Sequence, residues 1–289
     1  MRLTQAHLDE LITMVMPCLK LMAFTKTCKE IVSPTFRSAC LLCPKLILPV
    51  VLDMVYPALE TLVEPHRLLQ TLGTLLGVLI PLVKDEPDAE GKTYRVHIIT
   101  ILNSLLPALD TNDISKCMVA YQIIGVIVNM IPLVDCSDAV HSRCDLTEDE
   151  KELCSATANF DGIISMLMDR MFEMLIQVGQ TATTTGTHGS IAAKTGNNIE
   201  DQIFHRGTLS VFKGICRNSS TELFTIAMSK LYNIACEHVY DSRIANDVIA
   251  DMIQVACKFR PEIAFNKFFK LVLAKLQGCI SRKFSKIFM

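Results

Sequence analysis

Pro57-Ala58-Leu59-Glu60-Thr61 returns 50 residues later as Pro107-Ala108-Leu109-Asp110-Thr111, and Ile80-Pro81-Leu82-Val83 returns as Ile131-Pro132-Leu133-Val134 at an offset of 51. Two short strings recurring in one order at nearly one offset mark a duplicated structural unit. Each copy reads as a helix ending near the Pro-Ala-Leu turn, then a second helix ending near Ile-Pro-Leu-Val. That is the two-helix unit of a HEAT-like array, a little longer than the usual ~40–47 residues. The pattern predicts an all-α fold, a HEAT-like or armadillo-like α-solenoid of antiparallel helix pairs.

The helices carry their own signatures. From Pro65, apolar side chains fall at Leu68, Leu69, Leu72, Leu75, Leu76, Leu79 and Val83, the three-four spacing of one buried face begun by a proline suited to the first turn. Thr147-Glu148-Asp149-Glu150 reads as a capping box, in which the Thr147 hydroxyl accepts from an amide one turn on while Glu150 reaches back. Three acids there also suit the positive end of the helix dipole. One long helix is expected to follow, burying Leu153, Phe160, Ile163, Ile164, Leu167, Met171, Met174, Leu175 and Val178.

Beyond Gly179 the periodicity collapses into Thr, Gly, Ser, Ala and Asn. The chain therefore divides into helical repeats over 1–179, a flexible Gly/Thr-rich loop over 180–198, and further helical repeats with a basic end over 199–289. Helices are expected at about 199–217, 219–238, 241–259 and 261–280, the last opened by Pro261. No alternating run bounded by hairpin turns occurs, so strand content is expected to be negligible. Apolar residues in the first and last helices predict a slice of a longer array that is sticky when expressed alone.

Composition agrees with helix-on-helix packing. Of the 289 residues 50% are hydrophobic, yet only 6% are aromatic and Trp is absent, so Leu, Ile, Val, Ala and Met form the core. A net charge of −2 gives no global attraction to nucleic acid or anionic lipid. Lys258 to Met289 carries eight Lys or Arg against the single acid Glu262, read as a solvated helix face. The twelve cysteines lie mostly in apolar runs, for example Cys117, Cys154, Cys236 and Cys257, and fit buried reduced thiols in a cytosolic or nuclear protein. No secretory signal opens the chain. Leu68–Val83 and Met118–Val134 are free of charge, but they fall short of the ~20 residues of a spanning helix and contain Gln70, Gln122 and Asn129.

A search for chemistry finds nothing reactive. Cys40-x-x-Cys43 lacks a second Cys or His pair, and Cys136, Cys144 and Cys154 near His141 fit no zinc spacing. Gly73-x-x-x-Gly77 lacks the Lys-Ser/Thr of a phosphate loop and points to close helix approach. Five acids between Asp145 and Glu152 are explained by a helix start. No catalytic, cofactor-binding or metal-ligating residue is assigned, no cofactor is expected, and the chain is read as no enzyme.

Several strings resemble the proteasome activator complex subunit 4 family, the large HEAT-repeat caps of the proteasome core. They are Tyr56–Leu62 with Glu64-Pro65-His66, Asn112-Asp113 with Lys116-Cys117, and Pro132-Leu133-Val134-Asp135-Cys136-Ser137. Others are Asp145-Leu146-Thr147-Glu148 with Glu152–Ala158, then Met168-Asp169-Arg170. The likeness runs from near Leu3 to about Pro261 and covers a minor internal part of such a protein, in its middle HEAT-repeat region. The resemblance implies a cap that docks on the core particle, opens its gate, and promotes ubiquitin-independent degradation of peptides and proteins. The substrates implied include acetylated histones in DNA repair and spermatogenesis, met through parts of the family outside this chain. It also implies a nuclear and cytoplasmic location. Departures are the loop 180–198, more charged in the family, and fading likeness after Pro261. The family's anchoring tail ends hydrophobic-Tyr-any residue; this chain ends Ile287-Phe288-Met289 without the Tyr hydroxyl, so no functional residue is carried over.

The expected role is structural, with the proteasome core particle as partner and neither membrane nor direct nucleic-acid binding. The alternative is a generic solenoid scaffold or adaptor whose inner helices bind peptide or protein.

Overall fold

The computed structural model describes residues 4–25, 28–61, 65–110, 112–184, 199–238 and 243–285. They form helices α1 (Gln5–Met22), α2 (Lys29–Leu42), α3 (Pro44–Thr61), α4 (Pro65–Val83), α5 (His97–Leu105), α6 (Ile114–Met130), the single turn α7 (Ala139–Ser142) and α8 (Glu148–Ala156). Then come α9 (Phe160–Thr184), α10 (Ile199–Asn218), α11 (Thr221–His238), α12 (Arg243–Phe259) and α13 (Pro261–Ser285). Short 3-10 turns occupy Tyr94–Val96, Leu106–Ala108 and Thr157–Asn159. No strand occurs among the described residues.

The chain forms two compact units, Met1–Ile163 and Ile164–Met289. In the first, α2, α4 and α6 lie side by side in one layer, and α1, α3 and α5 in another. Each odd helix also packs on the even helix that follows it. In the second unit α10 neighbours α12 and α11 neighbours α13, while α12 also touches both α11 and α13. This alternation is the HEAT-like helix-pair architecture expected from the duplicated strings.

Helix α4 shows why the pattern folds this way. Leu68, Leu72, Leu75, Leu79 and Val83 are buried as the spacing requires, Leu69 and Leu76 are only half-buried, and Val78 and Leu82 are fully buried as well. With α2 and α6 on its flanks and α3 behind it, α4 is enclosed on most sides, so the buried arc exceeds one stripe. Truncating any of these leucines to Ala would cost about 2–5 kcal/mol. The close approach read at Gly73-x-x-x-Gly77 falls on the second glycine. A Cβ on Gly77 would stand 3.0 Å from both the Ser33 carbonyl oxygen and the Ser33 hydroxyl of α2, whereas one on Gly73 would meet nothing. The Ser33 hydroxyl donates instead to the Gly73 carbonyl, 2.7 Å away.

Four differences from the sequence-based expectations are physical. First, the two copies of each recurring string fold differently. Residues 57–61 remain in α3 and Pro81 sits inside α4, whereas the second copies end their helices, in a 3-10 turn at Leu106–Ala108 and in extended Ile131. Second, the helix expected after Thr147 is two helices. The Thr157 hydroxyl donates to the Cys154 carbonyl (2.6 Å) and accepts from the Cys136 N–H (2.8 Å), which ties the break to the preceding loop. Leu153, before the break, is only half-buried.

Third, α9 continues to Thr184, so residues 180–184 are helical rather than loop. No proline stops the run, and the Thr and Ala residues after Gly179 tolerate helix at a cost of only tenths of a kcal/mol each. The rest of the expected loop, 185–198, lies outside the described residues, and the division between the two compact units falls within the α9 sequence, after Ile163. Fourth, of the four cysteines read as core thiols only Cys117 is buried; Cys154, Cys236 and Cys257 are half-buried. Cys236 and Cys257 each sit beside a buried residue of their helix, Ala235 and Ala256, whereas α8, which carries Cys154, has no buried residue.

Candidate functional site

Many of the charged and polar side chains make hydrogen bonds and ion pairs that brace the helices. The five acids from Asp145 to Glu152 go to separate partners. Asp145 pairs with Arg143 through contacts of 2.5 and 2.9 Å, which holds its carboxyl below the usual range. Glu148 accepts from Lys151 at 2.7 Å. Asp149 accepts the Thr93 N–H at 2.7 Å. Glu150 closes the expected capping box, accepting from the Thr147 N–H at 2.8 Å while the Thr147 hydroxyl accepts from the Glu150 N–H at 3.3 Å. Glu152 raises the Tyr56 phenol by its charge, after the larger effect of burial. These acids organise a helix start and its neighbours, as the sequence suggested.

The cluster that sequence reasoning missed joins α3, α5, α8 and the segment between α4 and α5. Asp85, buried, accepts from the Tyr94 N–H at 2.7 Å and from the Thr93 hydroxyl at 3.1 Å. Tyr56 Oη lies 2.7 Å from His97 Nδ1, and Tyr94 stacks on the same imidazole at 6.4 Å between ring centroids. Burial pushes His97 below its ordinary range, although the charges of Glu152 and Asp149 pull the other way. The raised Tyr56 keeps its phenol proton, so a neutral imidazole with Nδ1 unprotonated accepts a hydrogen bond from the Tyr56 hydroxyl. The arrangement is a polar clasp. Its partners lie 41 and 56 residues apart, and no local motif announces it.

The thiols follow burial. Desolvation pushes Cys40, Cys117 and Cys216 up to about 12, so they are inert at neutral pH. Cys18, Cys136 and Cys144 are exposed, and no disulfide joins the described cysteines. Cys40 and Cys43 are both buried at the end of α2, and no group of three or more His, Cys, Asp or Glu among the described residues is arranged to hold a metal ion.

The basic end braces helices. Arg260 donates to the Ser219 carbonyl and to the Thr221 hydroxyl (3.2 Å), and its guanidinium lies 4.9 Å above the Phe224 ring centroid. Lys267 donates to the Ser229 hydroxyl at 2.7 Å. Lys258 and Lys270 are exposed, as a solvated face requires. The side chains of Lys275, Arg282, Lys283 and Lys286 lie outside the described residues. The charge-free run Leu68–Val83 falls in α4, the run Met118–Val134 begins in α6 and continues past its end at Met130, and no described helix is long and apolar enough to cross a membrane.

Helix pairs in stacked layers, braced by polar contacts, define a HEAT-repeat protein. The family model for the mid HEAT repeats region of proteasome activator complex subunit 4 matches residues 1–287, and this chain belongs to that family. The chain is 35% identical over 268 residues to "Proteasome activator complex subunit 4" of Homo sapiens, covering 92% of this chain and 14% of that protein. It is 34% identical over 269 residues to "Proteasome activator complex subunit 4A" of Danio rerio, with the same shares, and 34% identical over 261 residues to the Xenopus laevis protein (90% and 14%). The chain thus spans about one-seventh of the length of these relatives. The family match runs past Pro261, where the resemblance was expected to fade. Helix α13 keeps the repeat's apolar positions Ala264 and Phe268 buried, so the structural pattern outlasts the recognisable strings.

Proposed function

We propose that this chain is a structural wall segment of a proteasome activator, holding successive helix pairs in register so that contact points elsewhere meet the core particle. The family match over residues 1–287, on a scaffold of stacked helix pairs, carries this reading. Such a cap opens the core particle's gate by binding the open conformation more tightly than the closed one. It promotes ubiquitin-independent degradation, with acetylated histones in DNA repair and spermatogenesis among the substrates. The working compartments are nucleus and cytoplasm. The segment itself supplies no catalytic group; peptide hydrolysis belongs to the core particle.

A chimera tests this. Residues 1–287 replace the matching region of the human relative, and peptide hydrolysis by the core proteasome is measured with the chimera, with the human protein, and with this chain alone. Stimulation by the chimera and none by the isolated chain is expected. A chimera that folds, shown by circular dichroism, yet fails to bind or stimulate the core particle overturns the reading.

A further inference from the structure

The break between α8 and α9 draws two cysteines of the first unit together. Thr157 opens the 3-10 turn there, and its hydroxyl accepts from the Cys136 N–H at 2.8 Å while donating to the Cys154 carbonyl at 2.6 Å. The main chains of Cys136 and Cys154 are therefore no farther apart than two hydrogen bonds laid end to end. Their side chains also feel one another. Burial first, then the charges of Cys154 and Asp135, push the Cys136 thiol above its ordinary range. Both thiols are free, Cys136 exposed and Cys154 half-buried, so solvent-borne reagents reach the pair.

The two sulfurs are carried by chain of unequal stiffness. Cys154 lies in the last turn of α8. Cys136 lies between α6 and α7 in an irregular segment, where Asp135 accepts the Ser137 N–H at 2.9 Å and the Cys136 carbonyl accepts the Ala139 N–H at 3.0 Å. A disulfide needs Cα atoms roughly 4.4–6.8 Å apart, and such a bond here draws loop toward a helix end without bending a helix. Cys40, Cys117 and Cys216 differ, since each is deep in the core and raised to about 12. Cys144, exposed and between the pair in sequence, is the natural competitor for either sulfur.

We propose that Cys136 and Cys154 are a modification site for hydrogen peroxide, joining in a reversible disulfide that closes residues 137–153, with α7 and most of α8, into a covalent loop. One thiolate attacks a peroxide oxygen; the O–O bond breaks, hydroxide leaves and takes a proton as water, and the sulfur becomes a sulfenic acid. The second thiolate attacks that sulfur; the S–S bond forms, the S–O bond breaks, and a second water leaves. The two thiol protons end in the two waters, and two electrons pass from the thiols to the peroxide. A thiol reductant restores the pair by exchange. Because thiolate is the nucleophile, joining quickens as pH rises toward the raised Cys136 value. The inference does not rest on the proteasome reading.

The full chain, native and at low-micromolar concentration, is treated with hydrogen peroxide, alkylated, digested without reduction and mapped by mass spectrometry. Hydrogen exchange over 137–153 is compared before and after. The peptides holding Cys136 and Cys154 are expected to be joined, two hydrogens lighter, and to separate with dithiothreitol. Closing a loop of this length restricts its opened state, so exchange there should slow at least ~tenfold. Cys144→Ser should keep both effects, whereas Cys136→Ser and Cys154→Ser should each abolish them. The proposal is overturned if both cysteines stay thiols or go to unlinked sulfinic acids, or if Cys144 or a cysteine of another molecule takes either place. A bond that forms and leaves exchange unchanged overturns the covalent loop as a switch.

Discussion

Gly73 and Gly77 lie one turn apart in α4, and replacing each with Ala separates helix propensity from packing. Both substitutions remove a glycine from a helix interior, worth roughly 0.5–1 kcal/mol in favour of the variant. At Gly73 the new Cβ meets nothing within 4 Å, so that gain is expected in full. At Gly77 the Cβ stands 3.0 Å from the Ser33 carbonyl oxygen and hydroxyl, closer than a methyl group sits comfortably. The carbonyl belongs to the α2 backbone and yields only if the helices part, which costs about 1–3 kcal/mol. The net effect of Gly77→Ala is a loss of roughly 0–2.5 kcal/mol. For a unit of this size ~1 kcal/mol moves Tm by about 2–4 °C. Thermal unfolding is followed by circular dichroism, with hydrogen exchange in α2 and α4 assigning the transition to the first unit. Gly73→Ala should raise that transition and Gly77→Ala should leave it unchanged or lower it. Adding Ser33→Ala to Gly77→Ala recovers part of the loss, since one of the two close atoms is then gone. Equal stabilisation by both Ala variants would refute the close approach of α2 and α4.

Other consequences are open to measurement. Because His97 has its folded pKa depressed, its contribution to stability is present above the unfolded value of about 6.5 and is lost as pH falls through that value toward the folded one. Urea midpoints of the first unit should therefore fall between about pH 7 and 5, and His97→Gln should flatten that slope; an unchanged slope would mean that the clasp does not couple to folding. Thr147→Ala should cost about 1 kcal/mol by opening the capping box, read from the same midpoints. Gly91 adopts φ +79°, and a Cβ there would stand 2.6 Å from Thr147 Cγ2, so Gly91→Ala should cost more than ~1 kcal/mol and be partly relieved by Thr147→Ala. In the native protein at neutral pH, mass-mapped alkylation should label Cys18, Cys136 and Cys144 and spare Cys40, Cys117 and Cys216. Rapid labelling of the buried set would mean that the helix layers open readily.

Local chemistry made much of the molecule legible. Pro65 and Pro261 open helices where the expectation put them, because a missing N–H costs nothing in the first turn. The capping box at Thr147 formed as read, since its partners lie within three residues of one another. The apolar spacing of α4 identified its principal buried face, but its nearly complete enclosure followed from having three neighbours. The polar clasp was invisible because its members are brought together only by the packing of α3, α5 and α8.

By itself, then, the sequence determined that the chain is a helical repeat, where several of its helices start, and which family it resembles. Tertiary structure alone decided what became of identical strings. Ile-Pro-Leu-Val stays helical in α4, with Leu82 and Val83 packed inside, yet leaves the helix after α6, where Ile131 is extended, Leu133 is buried and Val134 is exposed. A proline near a helix end disrupts little hydrogen bonding, so both outcomes lie within a few kcal/mol, and the neighbours available to bury the following leucine choose between them.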